Sequence, residues 1–143
     1  MSLLSHINFA AVVVAAIAAI AIGSIWFGPR TFFPVWWAAM GRSADEKPGG
    51  QNMAVVFGST FVAQFVQALT VAVVVAMQAD RGNNQLGAFD GLFIGLLLGV
   101  GIAAAASLTH RLFAGQSFKV WAIEVGNDIV SLTVMAVIIS LWR

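Results

Sequence analysis

Four uninterrupted apolar blocks, Ile7–Phe27, Asn52–Met77, Ala88–Thr109 and Phe118–Trp142, dominate the chain. Each is as long as a helix crossing the hydrocarbon core of a bilayer, which needs about 20 mostly apolar residues. The blocks do not alternate in polarity, and each far exceeds the roughly 10 residues of a barrel strand, so helices are expected. The breaks are chemically distinct: Gly28-Pro29-Arg30, Lys47-Pro48-Gly49-Gly50, Asp80-Arg81-Gly82-Asn83-Asn84, and the stretch from His110-Arg111 to Gly115-Gln116. Such clusters of Gly, Pro and Asn are turn signals. The expected fold is an all-α membrane protein, four transmembrane helices in one bundle, forming a single domain over residues 1–143.

Composition agrees. Of 143 residues, 60% are hydrophobic and 9% charged, against roughly 25% charged in a soluble domain. Mean hydropathy is +0.93. The first block could be read as a signal peptide, but Met1 to Ile7 contains no Lys or Arg and the block is too long for a signal core, so it is read as a retained span. The net charge of +1 comes with no basic cluster and gives no support to nucleic-acid binding. Cysteine is absent, which removes disulfides and thiolate metal sites.

Four spans put both termini on one side. The opposite loops, about 28–51 and 110–117 with the start of the last span, carry Arg30, Arg42, Lys47, Arg111 and Lys119; the terminal side carries Arg81 and Arg143. By the positive-inside rule these loops are expected in the cytoplasm of a bacterium, with both termini outside its inner membrane. Trp121 and Trp142 lie 21 residues apart, roughly 31 Å along a helix, so both indoles are expected at headgroup level, and Trp26 marks the inner end of the first span. Residues 31–40, with Trp36 and Trp37, are too short to span and are expected to lie in the interface, anchored in lipid in preference to protein.

Hydrophobicity alone cannot hold helices together in lipid, whereas close packing of small residues can. The third span carries Gly91, Gly95, Gly99, Ala103 and Ser107 at fourfold spacing, and the first Ala11, Ala15, Ala19 and Gly23. These ridges are expected to pack on each other or on a partner, intramolecular packing being favoured over self-association or another membrane protein. Phe57, Phe61 and Phe65 form a stripe on the second span, read as core or lipid contact.

Chemistry concentrates on the last span. Glu124, Asn127, Asp128 and Ser131 share one helix face, with Asp128 roughly 5 Å and Glu124 roughly 10 Å from the midplane. A carboxylate at a span centre costs about 2.5–3.5 kcal/mol on insertion scales, so this face should point away from lipid. Thr60, Gln64 and Gln67 on the second span are expected to meet it. Asp128 must then be neutral, hydrated, paired with a cation, or reached by Lys119 or Arg111. A proton or cation site and hydrogen bonding by a neutral acid both remain open. Asp90 is expected to cap the third span.

His6 and His110 lie a membrane thickness apart and cannot share one haem. Metal ligands do not cluster, no nucleophile–base set converges, and Gly49-Gly50 is too little for a phosphate loop. No cofactor and no enzymatic activity are expected.

Asn8-Phe9-Ala10-Ala11-Val12, Gly23-Ser24-Ile25-Trp26-Phe27-Gly28-Pro29, the following Phe33 and Trp36, and the closing Trp142 resemble a family of small bacterial membrane proteins known as a domain of unknown function. That resemblance implies a four-helix membrane fold and no particular activity. Members commonly carry Asn-x-Gly where this chain has Glu124-Val125-Gly126. Two functional classes follow from the residues. One is a non-catalytic accessory or scaffold subunit that associates with itself or other membrane helices; the other is an oligomeric transporter or channel using Asp128 and Glu124.

Overall fold

A computed structural model describes residues 6–50, 52–81 and 85–143. Among these the chain is helical throughout its regular structure: α1 Phe9–Trp26, α2 Phe33–Ala39, α3 Met53–Arg81, α4 Ala88–Phe113 and α5 Phe118–Leu141. All except α2 are long and apolar enough to cross a membrane. The expected spans are recovered with shifted ends. The chief differences are α3, which continues to Arg81, and α4, which runs through His110 and Arg111 to Phe113. Gly82, Asn83 and Asn84 of the expected turn lie outside the described residues.

Local signals account for the ends. Asn8 Oδ1 accepts the Ala10 and Ala11 N–H groups at 3.0 and 3.3 Å, starting α1. At its other end the Thr31 hydroxyl folds back onto the carbonyls of Ile25 and Trp26, satisfying acceptors that the helix leaves open. Asp90 accepts the Gly87 N–H at 2.8 Å, the cap expected of it. Ser117 caps α5 through the Val120 N–H. His6, Ile7 and Asn8 line one recess with Trp142 and Arg143, so the first described residues and the last lie at one end of the bundle, here the terminal face. The opposite end, with α2 and the connection from α4 to α5, is the loop face.

α5 is the hub. The Gly91–Gly95–Gly99 ridge of α4 lies directly against its backbone. A Cβ on Gly95 would sit 2.3 Å from Thr133 Cα, one on Gly91 2.7 Å from the Ala136 carbonyl oxygen, and one on Gly99 2.9 Å from Ile129 Cα. The α1 ridge, Ala11, Ala15 and Ala19, is also buried, and α1 packs on α5 and α3. The expectation that the two ridges meet each other is therefore corrected: the glycine ridge finds α5, and α1 packs on α5 and α3, with Leu132, Met135, Ala136 and Ile139 of α5 buried in the common core.

A turn of π-helix at Gly99–Ala104 interrupts α4. The extra residue per turn advances the buried stripe by one position, so Ala104 is buried where fourfold spacing puts Ala103. Ala103 instead lines a groove towards α3.

Packing along α3 is uneven. Ala68, Val71, Ala72, Val75, Ala76 and Ala79 are buried, all in the half nearer the terminal face. From Met53 to Gln67 no residue is buried, and Phe57 and Phe61 are exposed; only Phe65 of the aromatic stripe packs against the core.

Candidate functional site

The side chains with polar chemistry gather where α1, α2, α4 and α5 approach the loop face. Glu124, in the second turn of α5, is the centre. Its Oε2 lies 2.6 Å from Arg111 Nε, and its Oε1 accepts the indole N–H of Trp36 at 3.0 Å. The glutamate side chain is 16% exposed and the arginine 44%, so the pair straddles the boundary between packed protein and the surface. Extending α4 by one turn beyond the expected Thr109 is what brings Arg111 within reach. It reaches Glu124, not Asp128, and Lys119 makes no ion pair among the described residues.

The tryptophans expected as lipid anchors are bound to protein instead. Trp26 donates to the Ile123 carbonyl at 2.9 Å, and Trp37, which is 9% exposed, to the Ser43 carbonyl at 3.0 Å. Trp121 donates to the Ala104 carbonyl and lies equally close to Ser107 Oγ, both at 3.2 Å. That carbonyl closes the π turn, where the ordinary helix ladder is disrupted. Trp142 is exposed and has no such donor contact among the described residues. A buried or half-buried indole needs an acceptor, and the neighbouring helices and the loop after α2 supply carbonyls.

Trp26 also explains a glycine. A Cβ on Gly126 would lie 2.7 Å from Trp26 Cζ2, so the indole rests on bare backbone of α5. Phe32 stacks beside the same indole at 4.6 Å between centroids, and Phe27 meets Trp36 edge-on at 5.2 Å. α2 thus seats an aromatic wedge on the loop-face end of the bundle, with Glu124 as its polar fastening.

The expected acidic face of α5 does turn inward. Asn127 and Ser131 are buried, and Glu124 and Asp128 are half-buried. Asn127 faces α1 at its smallest residue, where a Cβ on Gly23 would be 3.8 Å from Asn127 Oδ1. Asp128 interacts with the Asn127 side chain beside it. The expected partners on α3 do not meet this face. Thr60 is exposed and gives its hydroxyl to Val56 O at 2.8 Å in its own helix. Gln67 is exposed and lines the α3–α4 groove with Thr70, Leu98 and Ala103. Gln64 is half-buried, and its Oε1 makes no hydrogen bond to α5. The buried residues of α3 begin at Ala68, beyond all three of these side chains.

Sequence reasoning missed Arg111 as the partner of Glu124 and missed the π turn. Gly99 and Gly101, two helix-weakening residues two positions apart, and Trp121 on the facing helix were the available signals.

These features define an integral membrane bundle of four spans, closed at one end by a short aromatic helix hydrogen-bonded to an ion-paired glutamate. The chain belongs to the family described as Protein of unknown function (DUF1761), whose model matches residues 10–140. No curated protein and no solved structure matches it. The motif residues Trp26 and Gly126, far apart in sequence, are in contact, and Trp36 fastens to Glu124.

Proposed function

We propose that this protein is a non-catalytic integral membrane subunit that works by associating with a second copy of itself, in the cytoplasmic membrane of a bacterium. One observation carries this reading: Gln67 is exposed in an apolar groove of about 330 Å³ between α3 and α4, near mid-membrane. Leu132, which lines the same groove, is only about 4 Å from the midpoint of α5. A primary amide facing hydrocarbon has no partner there, whereas an amide from another copy offers it both a donor and an acceptor. A two-fold interface is self-complementary in this way. Small residues beside it, Thr70 and Ala103, allow close approach of a helix, and no residue of α3 from Met53 to Gln67 is fully buried within the chain. The charged groups of the loop-face cluster are engaged with each other in bracing α2, α4 and α5. The concentration of Arg30, Arg42, Lys47, Arg111 and Lys119 on the loop face supports a cytoplasmic loop face with both termini outside.

The chain has no cysteine, so one introduced in the groove reports neighbours directly. Thr70→Cys in native membranes is expected to give a disulfide-linked dimer under mild oxidation. Ile17→Cys, equally accessible on α1, is expected to stay monomeric. Equal yields at both positions, or none at Thr70→Cys, would remove the reading, and a cross-link to a different membrane protein would replace the self-partner with that protein.

A second reading, proton or cation handling at Asp128, draws on a different observation. Asn127 Oδ1, Ser131 Oγ and Gln64 Oε1 are buried without hydrogen-bond partners among the described residues, two of them on the Asp128 face of α5. Buried acceptors of this kind are costly unless something polar occupies them. In proteoliposomes, Asp128→Asn is then expected to abolish a measurable cation or proton flux; a flux untouched by the substitution, or no flux with the unaltered chain, sinks this reading.

A further inference from the structure

Beside α2, on the loop face, is a recess of about 520 Å³ that the functional reading above does not use. Arg42 and Lys47 stand on its loop wall, Trp37 lies at its α2 side, and Met53 and Val56, in the first turn of α3, form an apolar wall. The shelf is built, not merely a loop in passing. Gly41, at φ 79°, turns the chain back after α2, and the Arg42 N–H bonds to the Trp37 carbonyl at 3.3 Å. The Trp37 indole clamps the same loop through the Ser43 carbonyl, and the Arg42 guanidinium lies over the ring at 5.4 Å from its centroid. Arg42 shares a 3.7 Å pair with Glu46, exposed on both sides and therefore weak. Lys47 makes no ion pair among the described residues.

The geometry points to the phosphate and glycerol region of an anionic phospholipid as the occupant of this recess. Charge and polarity both select it. Two cations at the rim suit a phosphate, and Met53 is exposed on the side that continues into a membrane-crossing helix, where acyl chains lie. A soluble anion would use the cations and leave the apolar wall wet; a lipid headgroup uses both. A cation stacked on tryptophan at the end of an interfacial helix is also placed where headgroups are found. This inference does not depend on self-association, because the recess is complete within one chain.

The full chain, delipidated in mild detergent, is titrated with phosphatidylglycerol and with phosphatidylcholine of the same acyl composition, and bound lipid is read by native mass spectrometry. Phosphatidylglycerol is expected to bind about 25-fold more tightly, with about fivefold lost for each of the two basic residues removed. Lys47→Gln should lose part of the preference and R42Q/K47Q nearly all of it. Arg81→Gln, at the other end of the bundle, should retain it. Both substituted side chains are exposed, and an unchanged melting temperature of Lys47→Gln keeps the comparison sound. An equal preference in R42Q/K47Q, an equal loss in Arg81→Gln, or no preference in the unaltered chain would overturn the proposal. Displacement of the lipid by glycerol phosphate at comparable concentration would overturn it as well, since the site would then hold a soluble anion.

Discussion

Arg111 Nε lies 2.6 Å from Glu124 Oε2 while the other carboxylate oxygen holds the Trp36 indole at 3.0 Å, so a single glutamate ties α2, α4 and α5 together. Neither bond alone would fix α2, a seven-residue helix too short to be stable by itself. Jointly they orient it: the ion pair holds the carboxylate in one position, and the indole can then find it. Phe27 and Phe33, against the faces and edges of Trp36, complete the seat.

Removing the carboxylate should cost more than removing the arginine. Glu124→Ala strands an indole N–H and a guanidinium, and a loss of about 1–3 kcal/mol is expected, the cost of a charge-assisted hydrogen bond. Arg111→Ala should cost about 1 kcal/mol, because that side chain is partly exposed. The double variant is expected to lose less than the sum, with a coupling of about 0.5–2 kcal/mol. Reversible unfolding in mixed micelles measures all three; strict additivity would mean that the two groups act independently.

Gly95 is where α4 and α5 come closest, and Gly58 is a helical glycine in α3 with nothing within 4 Å of a Cβ. The same substitution should therefore act oppositely at the two sites. Gly95→Ala forces backbones apart and is expected to cost about 1–3 kcal/mol, the usual penalty for overpacking. Gly58→Ala is expected to be neutral or to stabilise by about 0.5–1 kcal/mol through helix propensity. Thermal unfolding in one detergent compares them directly, and a loss at Gly58 equal to that at Gly95 would contradict the packing described.

The spans and their number were legible because bilayer length and continuous apolarity are properties of single segments. The Gly91–Gly95–Gly99 ridge was legible for the same reason: spacing of four within one helix defines a face. What that face touches was not, since nothing local in Gly95 states that it will choose α5 over the small residues of α1. The tryptophans misled in an instructive way. Their positions at span ends fit an aromatic belt, but Trp26 and Trp121 were drawn inward by carbonyls of Ile123 and Ala104, an attraction that depends on how neighbouring helices pass. The α3 glutamines were misplaced because a polar face on a helix reveals that a partner is needed, not that the partner lies in the same chain.

Trp121 offers a test of the π turn. Its N–H reaches the Ala104 carbonyl at the end of Gly99–Ala104, with Ser107 Oγ at the same distance. Trp121→Phe keeps the ring and its contact with Phe118 but deletes the donor. A loss of about 0.5–1.5 kcal/mol is expected, the net worth of one hydrogen bond. Amide exchange should rise locally between residues 99 and 108 while α1 stays protected. Unchanged exchange in that window would show that the carbonyl needs no support from the indole.

Gly126 and Trp26 are in contact although far apart in sequence, and their energies should be strongly coupled. Gly126→Ala pushes a methyl to 2.7 Å from Trp26 Cζ2. The indole cannot slide away without releasing its 2.9 Å bond to the Ile123 carbonyl, so the clash is expected to cost about 1–3 kcal/mol. Trp26→Leu alone should also destabilise, by emptying the space beside α5 and exposing Phe32. In combination the smaller side chain relieves the clash, so Trp26→Leu should cost measurably less in the Gly126→Ala background than in the unaltered chain. Equal costs in both backgrounds would mean that the added methyl finds room elsewhere and that the glycine is not there to seat the indole.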